Sequence, residues 1–106
     1  FHQHPELSYE EYGTTAKIRE ILMEEGVEIL PCPLETGLVA VIRGKAKGPV
    51  RALRCDIDAL PIQEDSGLSY SSEYPGRMHA CGHDMHTTAL LGAAKILKKH
   101  EKELGC

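Results

Sequence analysis

Residues Leu38–Ile42 form an almost unbroken apolar run that is rich in β-branched side chains. A strand with one solvated face alternates apolar and polar residues, whereas a strand buried on both faces is apolar throughout its length. The run therefore predicts a strand that helices cover on both sides. Such an arrangement belongs to the α/β class of folds.

The segment before this strand carries the signals of a helix. Ser8 and Glu11 have the S-x-x-E spacing of a capping box, in which each side chain binds a free amide of the first turn. Apolar residues then recur at helical spacing as far as Gly26, a residue suited to a left-handed helix end. The pattern predicts a helix from about Tyr9 to Glu25.

Two further segments have extended patterns, Val27–Leu30 and Val50–Ile57. A glycine- and proline-containing turn separates the second of them from Leu38–Ile42. Leu38–Ile42 and Val50–Ile57 are therefore predicted to form a hairpin, or two neighbouring strands of one sheet.

The rest of the chain is predicted to be a long loop and a second helix. Residues 58–77 lack periodicity and are rich in proline, glycine and serine, which is typical of a loop. A helical pattern then runs from Met85 or His86 to about Leu104. The predicted order is helix, strands, long loop and helix.

The composition argues against several function classes. Lysine and arginine number 12 against 16 acidic residues, for a net charge of −4, so nothing indicates a basic surface for nucleic acid or an anionic membrane. No apolar run approaches the roughly 20 residues that span a bilayer. The chain begins at Phe1 and ends at Cys106 directly after a helical pattern. We expect a soluble single-domain piece, residues 1–106, of a longer chain.

The cysteines at positions 32, 55, 81 and 106 are expected to be reduced. The apolar periodicity is sufficient for a core, so the chain does not need the disulfides of a small secreted domain. Cys32 and Cys55 are expected to act as small apolar side chains. Reduced thiols predict a cytoplasmic location.

Three histidines, a cysteine and an aspartate fall within residues 79–86. Imidazole and thiolate are the side chains that bind zinc and similar first-row metals. Gly82 lets the backbone bend, so that Cys81 and His83 can both turn toward one point as candidate metal ligands. A catalytic zinc usually has three protein ligands and a water, so at least one more ligand is expected from elsewhere.

The remaining members of this cluster have more than one role open to them. Asp84 lies where it can cap the second helix. His86 is a weaker ligand candidate, and His79 is a candidate to contact a metal ligand or to face a substrate.

Asp56 and Asp58 lie at the carboxyl end of a predicted strand, the edge at which ligands bind in open α/β sheets. Alternation puts both on one side of the chain, where they can orient a metal-bound histidine or lie near the metal. Capping of loop amides is the alternative, and the functional role is favoured more for Asp58 than for Asp56. His2 and His4 are predicted to be structural.

Three segments, read together, resemble the M20 metallopeptidase family in order and spacing. They are residues 2–8 (HQHPELS), 56–62 (DIDALPI) and 78–87 (MHACGHDMHT). The resemblance covers essentially the whole chain. It is strongest to the amidohydrolase branch, which includes hippurate hydrolases, aminoacylases and the plant auxin-conjugate hydrolases.

This resemblance implies a zinc-exopeptidase-like catalytic domain with two divalent metal ions, zinc or manganese first, with cobalt or nickel as further candidates. It implies hydrolysis of N-acyl amino acids or related amides, by a full-length enzyme that can form a homo-oligomer. The family's ligands correspond to Cys81 and His83, and Asp58 corresponds to an aspartate that orients a ligand. Other branches have a metal-binding histidine at the position of Asp56, so metal binding is not carried over to this carboxylate.

The same resemblance implies that the general base, the other ligands and a lid or dimerisation domain lie beyond Cys106. The chain is therefore expected to be the amino-terminal part of a catalytic domain and to be inactive alone.

Two alternatives stay open. A single-metal structural or binding module requires four ligands within these residues and metal-dependent folding, so Cys32 or Cys55 would join Cys81 and His83. A cysteine hydrolase would instead use Cys81 as the nucleophile, with a histidine base and no metal.

Overall fold

The computed structural model describes residues 1–105. Its regular elements are two helices, a two-stranded antiparallel sheet and a short 3₁₀ turn: α1 (Tyr12–Glu24), β1 (Glu28–Leu30), β2 (Val39–Val41), α2 (His83–Lys99) and the turn Glu101–Glu103. Among residues 1–105, neither helix combines the length and the apolar composition that a membrane crossing requires.

The buried core lies where the two helices and the sheet meet. Ile18 and Leu22 of α1 pack with Val27 and with Leu91 of α2. Partly buried apolar side chains surround this group: Phe1, Ile21, Ile29, Leu38, Ala40, Ile42, Ile57 and Ala94. The amphipathic pattern of both helices therefore has the packing role that the sequence predicted.

The predicted capping box is wrong. Helix α1 begins at Tyr12 rather than at Tyr9, and its amino end has no capping bond from the residue before it. The hydroxyl of Ser8 donates instead to a carboxylate oxygen of Asp58 at 2.9 Å. A long-range acceptor has replaced the local helix amide as the partner of this serine.

Glu6 binds the free amides of the first turn of α1. Its carboxylate accepts hydrogen bonds from the amide of Gly13 at 3.0 Å, from the amide of Thr14 and from the Thr14 hydroxyl at 2.5 Å. A carboxylate is a stronger acceptor than a serine hydroxyl and is favoured at the positive end of the helix dipole. At the other end of α1, Gly26 has a φ of +73°, which confirms the predicted left-handed stop.

The sheet pairs different segments from those that the sequence predicted. β2 pairs with β1 in antiparallel register, with Glu28 opposite Val41 and Leu30 opposite Val39. Val39 is 48% exposed, while its neighbours Leu38 and Ala40 pack against the core. The prediction that this run is buried on both faces is therefore wrong for the described chain, because helices cover only one face.

Residues 50–57 contain no strand, although their pattern predicts one. Val50 is 96% exposed and Leu53 is 65% exposed. A strand forms only when its backbone groups bond to a neighbouring strand, and within residues 1–105 no strand pairs with residues 50–57. Pairing resumes only at Ala59, which forms a parallel bridge with Leu7, and at Leu60, which forms an antiparallel bridge with Met78.

Helix α2 begins earlier and ends earlier than its sequence pattern predicts. The carbonyl of Gly82 accepts the amide of His86 at 3.0 Å, so the helix starts at His83 and ends at Lys99. Residues 61–77 form the predicted loop, without helix or strand. Cys81 thus lies just outside the helix, and His83 is its first residue.

Candidate metal centre

The two candidate ligands lie on either side of a glycine at the start of α2. Gly82 has a φ of +92°, a backbone conformation that residues with a Cβ rarely adopt. The chain therefore turns sharply between the exposed Cys81 and the partly buried His83.

Asp58 orients the imidazole of His83. The Nδ1 atom of His83 lies 3.0 Å from Oδ1 of Asp58 and 3.0 Å from the Asp58 backbone carbonyl oxygen. Because both partners are acceptors, Nδ1 carries the proton and donates it. The lone pair of the neutral ring is then on Nε2, the atom left to bind a cation.

The second carboxylate oxygen of Asp58 is also occupied. Ser8 Oγ donates to Oδ2 at 2.9 Å, so both oxygens are held. Burial alone would raise the pKa of Asp58, but the hydrogen bonds from Ser8, from its own backbone and from His83 together lower it. The carboxylate is therefore ionised at neutral pH, as a partner for Nδ1–H must be.

Asp56 does not join Asp58 at this site. Its carboxylate pairs with the guanidinium of Arg54 at 2.5 Å, and both side chains are largely exposed. Its backbone carbonyl accepts the hydroxyl of Thr87 at 3.3 Å. Of the two aspartates, only Asp58 contacts a candidate ligand.

His79 is buried, with 5% of its surface exposed, and neither ring nitrogen has a hydrogen-bond partner. Burial lowers its pKa, so the ring is neutral at pH 7. Buried polar atoms usually have a partner, and within residues 1–105 this ring has none. His86 is exposed, and its ring centroid lies 6.0 Å from that of His83.

Asp84 belongs to a second group of charged residues beside the first. Its Oδ2 atom lies 2.8 Å from Nδ1 of His2, while Nε2 of His2 lies 3.0 Å from both carboxylate oxygens of Glu64. Burial would raise the pKa of Asp84, but hydrogen bonds from His2 and from the Met85 amide lower it. His2 therefore joins the first turn of α2 to the long loop.

Glu64 organises that loop. Its carboxylate accepts hydrogen bonds from the hydroxyl of Ser66, from His2 and from the amide of Ser72. These bonds lower the pKa of Glu64 to about 2, and its side chain is only 2% exposed. A buried carboxylate needs such partners, because an unpaired one carries a large desolvation cost.

Residues 1–105 contain no group of three or more histidine, cysteine, aspartate or glutamate side chains arranged to hold a metal ion. Cys81 and His83 can thus supply part of a coordination sphere, with the thiolate and imidazole donors that bind zinc and similar first-row metals. The structural-module alternative needs four ligands in one place, and Cys32 and Cys55 do not assemble with this pair.

The cysteine-hydrolase alternative also lacks its geometry in the described part of the chain. A nucleophilic cysteine needs a histidine base within hydrogen-bond distance. No hydrogen bond joins Cys81 to a histidine within residues 1–105, and Nδ1 of His83 is bound to Asp58.

Sequence reasoning did not find three residues of this region, namely His2, Ser8 and Glu64. His2 is predicted as structural and Ser8 as a helix cap, and nothing around Glu64 distinguishes it from other loop acids. Their partners lie 82, 50 and 62 positions away. No local pattern identifies contacts of that range.

Residues 52–105 match the sequence profile of Peptidase family M20/M25/M40. The chain belongs to this family. The matched segment includes Asp58, Cys81 and His83, the residues whose geometry is described above. The M20 resemblance that the sequence motifs predicted is thereby confirmed.

Named M20-like relatives match nearly the whole chain. The N-acetyl-L-cysteine deacetylase of Bacillus subtilis is 57% identical over 103 residues, which are 97% of this chain and 25% of the relative. The IAA-amino acid hydrolase ILR1-like 5 of Arabidopsis thaliana is 48% identical over 103 residues, 97% of this chain and 23% of the relative. The chain spans about a quarter of the length of these relatives.

A solved M20 structure shares the fold. The Bacillus subtilis YXEP protein, described as a dinuclear metal binding peptidase from the M20 family, is 53% identical and superposes with a TM-score of 0.96. The match covers 98% of this chain and 29% of that one. It confirms the predicted α/β fold class.

Proposed function

We propose that this chain is the amino-terminal part of the catalytic domain of a metal-dependent amidohydrolase that cleaves the amide bond of N-acyl amino acids. The observation that carries the proposal is the orientation of His83 by Asp58, directly after the turn at Gly82. A carboxylate on one imidazole nitrogen and a lone pair on the other is the usual arrangement of a metal-binding histidine.

The residues present fit a divalent cation. Cys81 would supply a thiolate and His83 the Nε2 lone pair, and we propose both as ligands within a centre of two ions. Zinc and manganese are the first candidates, and cobalt and nickel are the others. Such ions, when bound, supply Lewis acidity that activates water and stabilises the charge that develops on the amide oxygen.

The roles of this chain's own residues follow from their contacts. Asp58 keeps the proton of His83 on Nδ1 and so presents the other nitrogen in its basic form. Cys81 acts as a ligand rather than a nucleophile, because the described residues place no base against its sulfur. His79, neutral and buried, contributes no charge to the site.

The other parts of the active site would come from outside this chain. We propose that further ligands and a general base are supplied by a longer polypeptide, since residues 1–105 bring no three potential ligands together. A catalytic site with a single thiolate and a single imidazole lacks the three protein ligands that catalytic zinc usually has. The 106 residues alone are therefore expected to be inactive.

The proposed substrates are small N-acyl amino acids. One relative is named as a deacetylase of N-acetyl-L-cysteine and another as a hydrolase of IAA-amino acids, and both names support this class. The free thiols of Cys32, Cys55 and Cys81 agree with the predicted cytoplasmic location. Self-association of the full-length enzyme stays a prediction.

The test uses the full-length protein with N-acetylcysteine and hippurate as substrates. Treatment with a chelator should abolish hydrolysis, and added Mn²⁺ or Zn²⁺ should restore it. His83→Ala should lower the bound metal and the activity together, whereas His100→Ala, which replaces a half-exposed histidine after α2, should change neither.

Two results would contradict the proposal. Activity that survives chelation but is lost on alkylation of thiols would identify a cysteine hydrolase. A His83→Ala protein that binds as much metal as the wild type would remove this histidine from the metal centre.

A further inference from the structure

Two side chains among the first eight residues contact carboxylates at the start of α2, Ser8 that of Asp58 and His2 that of Asp84. Ser8 Oγ donates to Asp58 at 2.9 Å, and Asp58 binds the ring of His83. Nδ1 of His2 lies 2.8 Å from Asp84, the residue that follows His83 in the helix. One short segment thus reaches the candidate ligand from two directions.

The charge state of His2 follows from its neighbours. Each of its ring nitrogens faces a carboxylate, Asp84 on one side and Glu64 on the other. A neutral imidazole has one donor and one acceptor, so only the protonated ring can donate to both. The hydrogen bond with Glu64 raises the pKa of His2, which agrees with this geometry.

The segment that carries these two side chains is itself fixed. Pro5 is fully buried, the carbonyl of Glu6 accepts the amide of Ala59 at 2.7 Å, and the carbonyl of Gln3 accepts the amide of Glu73 at 2.8 Å. Chain ends are poorly ordered unless such contacts hold them. The positions of His2 and Ser8 are therefore set by the backbone around them.

We infer that His2 and Ser8 are positioning residues for the candidate metal ligand His83, His2 acting through Asp84 and Ser8 through Asp58. This inference rests on the proposed metal-dependent function. Ser8 holds the carboxylate that binds the ring, and His2 fixes the adjacent helical turn against the loop. Together they leave His83 a single orientation, with Nδ1 toward Asp58 and Nε2 available.

The neighbouring His4 offers a matched control. Like His2, it pairs with a loop glutamate, Glu73 at 2.9 Å, and lies edge-on to a tyrosine, Tyr74. Its partners are exposed, and it contacts neither Asp58 nor Asp84. Replacement of His4 therefore removes the same kind of interaction without touching the start of α2.

The experiment compares His2→Gln, Ser8→Ala and His4→Gln in the full-length protein. Ring nitrogen resonances of histidine are recorded by NMR without metal, and the affinity for Zn²⁺ is measured by competition with a chromogenic chelator. In the wild type, His2 should carry protons on both nitrogens, and Nδ1 of His83 should carry the proton that faces Asp58.

His2→Gln and Ser8→Ala should each shift the His83 ring resonances and lower the Zn²⁺ affinity by about tenfold, the lower end of the effect of residues that hold a metal ligand. His4→Gln should leave both measurements as in the wild type. If His2→Gln does not fold, Ser8→Ala, which deletes one hydroxyl at an exposed position, decides the question.

Wild-type resonances and affinity in both His2→Gln and Ser8→Ala would overturn the inference. Equal changes in all three variants would also overturn it, because the segment would then act only through general stability. If the wild type itself bound no metal and hydrolysed no substrate, the proposed function would fail. The His83 resonances without metal would still report separately on positioning.

Discussion

Asp58 and His83 lie 25 positions apart in the sequence, yet Oδ1 of the first is 3.0 Å from Nδ1 of the second. The aspartate follows an irregular extended segment and the histidine opens α2. Their contact therefore forms only when the helix packs beside that segment. Together with the backbone carbonyl of Asp58, which also lies 3.0 Å from Nδ1, this carboxylate selects the tautomer that leaves Nε2 able to bind a cation.

We predict that Asp58→Ala lowers the metal affinity of the full-length protein by about 10–100-fold, the range for partners that orient a ligand. The ring of His83 would lose the carboxylate that fixes its orientation and would keep only the backbone carbonyl of residue 58 as a partner for Nδ1. Titration with Zn²⁺ against a chelator of known affinity measures the change. Asp65→Ala, at an exposed loop position, is the control, and equal affinities of the two variants would contradict the assigned role.

We predict that the glycine at position 82 has a specific conformational role. Gly82→Ala should weaken metal binding and destabilise the protein by about 1–2 kcal/mol, because a Cβ disfavours left-handed backbone. No atom beyond the adjacent residues lies within 4 Å of the added Cβ, so the cost comes from the backbone conformation and not from a clash with another part of the fold.

Gly92→Ala is the matched control for Gly82→Ala: it makes the same substitution but is expected to stabilise the protein. Gly92 lies inside α2 without a positive φ, and its added Cβ would also meet no atom within 4 Å. Alanine there should stabilise the protein by about 0.5–1 kcal/mol through helix propensity. Thermal unfolding of both variants tests the pair, and a stabilised Gly82→Ala protein would contradict the prediction.

We predict that Glu6→Ala destabilises the protein by about 1–2 kcal/mol, the upper range for loss of a helix cap. Glu6 accepts two amides and a hydroxyl at the start of α1. Denaturant unfolding measures the loss. Glu10→Ala, at an exposed position just before the helix, should have little effect, and equal losses in the two variants would show that Glu6 does not act as the cap.

We predict that the His2–Glu64 pair stabilises the fold most strongly between about pH 4.5 and 6.5. The pKa of Glu64 is lowered from an ordinary 4.5 to about 2, so its contribution is complete above pH 4.5 and is lost as the pH falls toward 2. The pKa of His2 is raised above 6.5, so its contribution is complete below pH 6.5 and is lost as the pH rises through the raised value.

The measurement is the unfolding midpoint of the full-length protein across this range of pH. The groups that face His2 are Glu64 from the loop, Asp84 from α2 and the ring of Tyr70, and His79 lies close enough to interact with the charge of His2. His2→Gln should remove the decline above pH 6.5 that depends on this ring. A decline as steep as that of the wild type would assign it to another group.

The sequence predicted the elements whose cause is local. Helix α1 ends at Glu24, just before the predicted left-handed glycine Gly26, because a helix end depends only on the last turn. The loop and the existence of α2 were predicted for the same reason. The predicted strand at residues 50–57 failed, because a strand depends on a neighbour that residues 1–105 do not supply.

The error at the start of α1 has a physical cause. Ser8 has the spacing of a cap, but its hydroxyl donates to Asp58, and Glu6 takes the amides of the first turn. Spacing shows which local bond a side chain can make. It does not show whether, in the folded chain, the hydroxyl will donate to a distant carboxylate instead of accepting from a helix amide.

By itself, the sequence determined the kind of chemistry, because Cys81, Gly82 and His83 are adjacent in the chain and need no folding to be neighbours. Only the tertiary structure decided the contacts that direct them: Asp58, which the sequence favoured over Asp56, on the ring of His83, and His2 between Glu64 and Asp84. Those partners are separated by 25, 62 and 82 positions. Contacts of that range are set by how the helix, the loop and the amino-terminal segment pack together, which periodicity and spacing do not encode.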